Sequence, residues 1–527
     1  MAYATTADLS YAPPQDYDPA YAQPTAVTIN AAPEDSSWFL KRSVWLPLPF
    51  LVPVALCGVS WAGNGIPFLT DLGFIFLAAL CSVFLVVEML RFPRRFGTGG
   101  MVIFGGVLIW YCHDFFYKWF SYDGHGVFPA WVIAKTAFLV SLITFSMVVG
   151  LNIRGGRWLT RVVCLVPEAK SGGFYACLLV ALCAIGLLPY FLFVNEAPHL
   201  AIYHDIIGMR GSRAAWTVGR SGDYNYNWGA YALHFLDVGY FAGMFGSFYA
   251  TLVARRLPGQ VLGWAVCVFW TLMAFGSGTR GYVVGVVVPA MGFLYIKYHV
   301  DAAARMRRMS VKAYVATISL TLLILVLVQL QATYRNARLD RWGSWDKVEV
   351  GKPQGNHMFS EGLLAAQTVP AEVPYFANRF IGEGPVRIIP DLVISCILHP
   401  IPRALWPTKP HDAALDWYNR RFTGERRAAF TTTIAPGVAV AQYMRYGTVG
   451  MAIFGVVFGW LLGCSERVLR SSGGRPVQVL VSLAMAVWLF RCFRGGLGWM
   501  EFYALVIGFV AMSGLVVVTR PLFARAD

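Results

Sequence analysis

Long apolar stretches, each close to the length of a membrane crossing and separated by short polar or basic connections, set the pattern of this chain. At a helical rise of ~1.5 Å per residue, roughly 20 apolar residues span the hydrocarbon core of a bilayer. Windows of that kind fall at residues 44–63, 68–90, 101–119, 128–150, 174–195, 231–254, 261–278, 282–299, 312–333, 436–463, 476–491 and 499–519, the eleventh being short. The pattern predicts an all-α polytopic membrane protein with about 12 transmembrane helices. One segment, 334–435, breaks the rhythm by mixing an apolar run at 386–398 with Gly, Pro and charge. It is too long for a plain linker and is predicted to pack as short helices over the mouth of the bundle. The chain thus divides into a tail (1–36), spans 1–9 (37–333), a large loop (334–435) and spans 10–12 (436–527).

Composition agrees with this picture: 57% of the 527 residues are hydrophobic and 13% charged, with a mean hydropathy of +0.55. Residues 1–36 are rich in Ala, Pro, Tyr and Asp and carry no apolar run, which predicts a disordered tail. The acidic pair Asp16 and Asp18 within it resembles a metal-binding pair of a glycosyltransferase, but in such a tail the match is read as chance. No signal peptide is read, because the first apolar segment begins only after Lys41-Arg42. The ten cysteines are scattered singly, without a Cys-x-x-Cys or Cys/His ligand spacing, so neither a zinc site nor a disulfide framework is expected. A net charge of +15 suits anionic lipid or an anionic substrate, and so many spans make nucleic acid the least fitting partner.

Charge also orients the spans. With the tail in the cytoplasm, every inner connection carries a basic cluster: Arg91/Arg94/Arg95, Arg154/Arg157/Arg161/Lys170, Arg255/Arg256, Arg305/Arg307/Arg308 and Arg467/Arg470/Arg475. Arg520 and Arg525 follow the last span, so both termini are expected to be cytoplasmic. The outer side departs from the rule. The loop 196–230 carries Arg210, Arg213 and Arg220, the turn after span 7 carries Arg280, and Arg491 and Arg494 close span 11. Long loops translocate regardless of charge, but the short turn at Arg280 has no such exemption. Cations gathered outside suggest an anionic substrate handled there.

Within the large loop, PRALWPTKP (402–410) places Arg403, Trp406 and Lys409 among three prolines. Proline fixes φ and removes a backbone donor, so the stretch is rigid irregular chain that holds two cations at a set separation. In chain order, GSGTRG (276–281), ATYRNAR (332–338), IPRALWPTKP (401–410), APG (435–437) and QYMRYGTVG (442–450) together resemble the Wzy-type polymerases of O-antigen and exopolysaccharide repeat units. The likeness covers roughly residues 200–465, and its most specific piece is PR-x-LWP-x-KP. It implies a cofactor-free glycosyltransferase of the bacterial inner membrane. Two polyprenyl-pyrophosphate-linked oligosaccharides would be its substrates, with a chain-length regulator and a flippase as partners. Many members of that family carry an acidic residue near the position of Gln442; this chain does not, and the position receives no catalytic role.

For that reaction the residues sort by charge. A leaving pyrophosphate gains negative charge, and guanidinium groups present a planar fork of donors suited to phosphate oxygens. Arg280, Arg335 and Arg403 are the foremost candidates, with Lys409, Arg210 and Arg213 behind them; the alternative for each is interfacial snorkelling. Trp406 could stack on a sugar ring or anchor the loop at the interface. Candidates for the base that activates the attacking hydroxyl are Glu383, Asp391, His399, the adjacent His411 and Asp412, and the pair His234 and Asp237 three residues apart. The outer loops hold no close acidic pair, and no metal is called for. A ligase transferring glycan to another acceptor would use the same arginines. A transporter is disfavoured on the expectation that the spans are nearly charge-free.

Overall fold

The computed structural model describes residues 46–95, 98–112, 115, 130–153, 172–192, 197–207, 229–276, 280–304, 437–470 and 476–495. Among them the chain is helical and contains no strand. A single 3-10 turn, Leu48–Phe50, leads into α1 (Leu51–Ala62). There follow α2 (Pro67–Arg95), α3 (Thr98–Val107) running on through a π turn (Leu108–Cys112), α4 (Ala130–Asn152) and α5 (Gly172–Leu192). Next come α6 (Pro198–Ile207), α7 (Gly229–Phe248) with a second π turn (Tyr249–Val253), α8 (Leu257–Gly276) and α9 (Arg280–Ala304). The last two are α10 (Gly437–Arg470) and α11 (Pro476–Gly495).

Among the described residues six stretches are long and apolar enough to cross a membrane: Pro67–Glu88, Ala130–Asn152, Gly172–Leu192, Leu257–Gly276, Arg445–Leu469 and Pro476–Phe493. Three shorter apolar helices, Leu48–Ala62, Thr98–Cys112 and Gly285–Leu294, fall in further predicted windows. The windows 312–333 and 499–519 and the large loop lie outside the described residues. Large apolar side chains such as Phe68, Val83, Phe191, Leu192 and Ile453 are exposed. In water they would be a liability; facing lipid they are the expected surface. Span 11, the shortest of the predicted windows, is one of the six and sits largely inside the bundle. The outer connection 196–230 contains a helix, α6, packed on α8 and α5, where the sequence reading expected only loop.

Two apolar cores organise the helices. One gathers α1–α4, α10 and the end of α11 around Phe104, Tyr111, Met147, Phe458 and Phe493. The other gathers α5–α9 and the start of α11 around Phe245, Phe248, Trp270 and Phe293. Buried residues ring α4 on all sides, as a central helix requires. Its main partner is α10, and small residues set that contact. A Cβ placed on Gly455 would meet Ser146, one on Gly459 would overlap the Met147 carbonyl oxygen, and one on Gly463 would sit 2.9 Å from the Leu151 carbonyl oxygen. Glycines four residues apart let two backbones approach closely, which is how helices adhere where lipid supplies no hydrophobic drive. Gly459→Leu is therefore expected to cost at least ~1–3 kcal/mol and to lower the yield of folded protein sharply, read by detergent-solubilised thermal unfolding. An unchanged melting temperature would show that the α4–α10 contact can spread at no cost.

The same contacts give direction. Residues 146, 147 and 151 meet 455, 459 and 463 in ascending order, so α4 and α10 run parallel. Gly243 and Phe248 of α7 meet Val286 and Phe293 of α9, again parallel. Gly239 against Trp270 and Gly246 against Gly263 make α7 and α8 antiparallel. Ser465 against Ser482 and Phe458 against Phe493 do the same for α10 and α11. These relative directions are those of a chain that crosses back and forth.

Candidate functional site

At one end of the bundle the end of α1, the π turn after α3 and the starts of α4 and α10 converge. The turn into α2 is closed by the Ser60 hydroxyl, which donates to the Ile66 carbonyl at 2.7 Å and pairs with the Thr70 hydroxyl at 2.7 Å. Gly65, at φ 89°, has no room for a Cβ because the backbone of Ala130 and Trp131 lies against it, so this turn is seated on the start of α4. The Tyr111 hydroxyl accepts a hydrogen bond from the Ala439 amide at 3.0 Å, satisfying a donor that the first turn of α10 leaves open. The neighbouring Trp110 places Nε1 3.1 Å from where a Cβ on Gly437 would stand. Both aromatics sit in the π turn, a local widening of the helix that recurs at functional positions.

Lys135 lies one turn into α4 and is only 6% exposed. Its ammonium is held between two ring faces, 5.3 Å from the centre of Trp61 and 5.1 Å from that of Tyr443, and Trp61 in turn stacks on Phe138 at 5.4 Å. Each such cation–π contact contributes about 0.5–2 kcal/mol. Beside Tyr443, Gln442 is fully buried, and among the described residues neither Oε1 nor Nε2 has a hydrogen-bond partner. Trp110 Nε1 is likewise buried without a partner. A buried amide left unsatisfied costs about 1–3 kcal/mol, so this cluster is held at the expense of stability. Arg445, 9% exposed, is one turn further along. Gly447, at φ 67° and ψ −170°, then breaks α10 into a short segment bearing Gln442, Tyr443 and Arg445 and a long membrane-grade one. Only glycine adopts that backbone readily.

The second core carries charges of its own. Arg280 is the first residue of α9, where the open backbone amides favour the same anionic ligands that a guanidinium does. Arg491 of α11 comes within 3.6 Å of a Cβ placed on Gly285, five residues into α9. Asp205 of α6 is buried and accepts a 2.5 Å hydrogen bond from the Tyr190 hydroxyl. Its backbone carbonyl presses against Gly276, where GSGTRG begins. His234 and Asp237 both fall on α7, which realises their predicted three-residue helical spacing, with Asp237 half-buried. Glu383, His411, Asp412, Asp391, His399, Arg335, Arg403, Lys409, Trp406, Arg210 and Arg213 lie outside the described residues.

One expectation is corrected here. The spans are not nearly charge-free: Glu88, Lys135, Arg445 and Glu466 are all buried in helices. A single ionisable residue scarcely lowers the mean hydropathy of a long window, so averaging hid them, although an intramembrane lysine is itself a signal of function. Their placement still matters. Glu88 and Glu466 lie at the start of α3, beside Gly100 and Gly99, while Lys135 and Arg445 lie at the opposite end. Between them the described polar side chains include Thr144 and Ser146, whose hydroxyls donate to carbonyls of their own helix at 2.7 and 2.8 Å. No family model matches this chain, and neither a curated protein nor a solved structure matches it.

Proposed function

We propose that the chain polymerises polyprenyl-pyrophosphate-linked oligosaccharide repeat units on the outer face of the bacterial cytoplasmic membrane, with both termini inside. The observation that carries this reading is a set of cations in the half of each helix that the charge pattern assigns to the outer side: Lys135 near the start of α4, Arg445 in the first segment of α10, Arg491 near the end of α11 and Arg280 as the first residue of α9. The basic inner connections make that half the outer one. The order of GSGTRG, ATYRNAR and PRALWPTKP along the chain adds the chemical class.

The reaction joins a hydroxyl at the nonreducing end of one glycan to the anomeric carbon of another. The bond from that carbon to the pyrophosphate oxygen breaks, the pyrophosphate leaves with the electron pair, and the hydroxyl proton passes to a base. Fixed cations near the leaving oxygen stabilise charge that is larger in the transition state than in the ground state, so they accelerate the step itself.

Purified protein given lipid-linked single repeats and no second acceptor should produce a ladder of longer lipid-linked chains. A deletion strain should accumulate single repeats, on the carrier or capped onto the usual acceptor. Long chains stranded on the carrier in that strain would instead make the protein a ligase.

A further inference from the structure

We propose that the first segment of α10, residues 437–446, is a latch that docks where α1, α4 and the π turn of α3 meet, and that it releases as a unit about Gly447. The latch does not depend on the polymerase reading. Glycines in the left-handed region bound the segment on both sides: Gly437 at φ 76° and Gly447 at φ 67°. At Gly437 packing leaves no choice, because a Cβ would stand 2.8 Å from the Tyr111 hydroxyl and 3.1 Å from Trp110 Nε1. At Gly447 a Cβ would meet nothing within 4 Å, so the break there belongs to the backbone alone. Glycine moves between that conformation and the helical one without the penalty that a Cβ imposes.

The docked position is held by some contacts and opposed by one. Holding it are the Ala439 amide, which donates to the Tyr111 hydroxyl at 3.0 Å, and the Tyr443 ring, 5.1 Å from the Lys135 ammonium. The buried aliphatic side chains it adds are small: Val438, Ala439 and Ala441. Opposing it is Gln442, fully buried and, among the described residues, without a hydrogen-bond partner for either amide atom. An amide so enclosed has given up hydration and gained no bond, and release returns it to solvent. A segment with glycine at both ends, few large apolar anchors and an internal group that favours leaving is the low-stability kind of element from which switches are drawn. Release also carries Tyr443 off the Lys135 ammonium, which uncovers that buried cation on one side.

Hydrogen exchange of the full chain in a neutral detergent reads the release, with the amides of residues 438–446 set against those of 450–470. In the wild type the first group should exchange roughly tenfold faster or more. Gln442→Leu removes the enclosed amide at similar volume, so it should slow exchange of 438–446 by about tenfold and melt at or above the wild type. Tyr111→Phe removes the acceptor of the Ala439 amide and should speed that exchange by about tenfold. Gly447→Ala should also speed it, because alanine resists a positive φ even where its Cβ has room. None of the three should change residues 450–470. The opposite signs separate a latch from ordinary packing, in which altering Gln442 would loosen the segment as altering Tyr111 does. A Gln442→Leu variant that melts lower and exchanges faster would overturn the latch and make Gln442 a structural residue. Equal protection of 438–446 and 450–470 in the wild type would overturn it as well.

Discussion

On the proposed polymerase reading, Arg403→Lys is expected to reduce chain extension almost as far as Arg403→Ala, by about 10²- to 10³-fold. The reason is geometry more than charge. A guanidinium grips two phosphate oxygens at once through parallel donors, whereas an ammonium offers a point charge on a flexible stem. The sequence sets Pro402 ahead of Arg403, with Pro407 and Pro410 beyond it, and on the proposed polymerase reading prolines that restrict the backbone would lower the entropy lost on binding. Lysine at this position keeps the charge and loses the fork. The measurement is the rate of lipid-linked ladder formation per unit of folded protein, with membrane levels checked independently. Full activity in Arg403→Ala at normal levels would reduce the motif to an interfacial anchor, with Trp406 as its main contact.

How much of this was legible in the sequence follows from what kind of signal each feature leaves. Span positions were readable because burial in lipid demands a continuous apolar run, and α4, α5, α8 and α11 lie close to their windows. The parallel run of α4 with α10 matches two spans an even number of crossings apart, while which end is cytoplasmic rests on the basic connections alone. What the pattern could not deliver was which spans touch. The glycines at 455, 459 and 463 were visible, but nothing in the chain named Met147 and Leu151 as their partners. The cluster at Lys135 was hidden for the same reason. Trp61, Trp110, Lys135 and Gln442 come from four separate segments, and each alone reads as an interfacial aromatic or a stray polar residue. Gln442 was noticed only as a departure from an acidic position. Its enclosure beside Tyr443 and Lys135 is a property of the fold. Asp205 likewise became informative only once Tyr190 and Gly276 were seen around it.

That last contact yields a prediction that separates position from presence. On the same proposed reading, Gly276→Ala is expected to lower the rate of chain extension by roughly 10²-fold, although it changes no charged group. Gly276 ends α8 and does not have a positive φ, so alanine suits its backbone. The obstacle is external: a Cβ there would overlap the Asp205 carbonyl oxygen and stand 2.7 Å from that of Ile206. Backbone cannot rotate aside as a flexible side chain does, so α6 and the end of α8 must separate, at a cost of about 1–3 kcal/mol. Four residues after Gly276, Arg280 opens α9, and on the proposed polymerase reading a displacement of about 1 Å at this helix start would be enough to cost rate. Gly105→Ala in α3 is the control, because a Cβ there meets nothing within 4 Å. It should be neutral or stabilise the helix by up to ~1 kcal/mol, since alanine loses less backbone entropy than glycine. Equal rates in the two variants would mean that the α6–α8 contact does not position Arg280, and that the surplus cations at this end act independently of the turn that carries them.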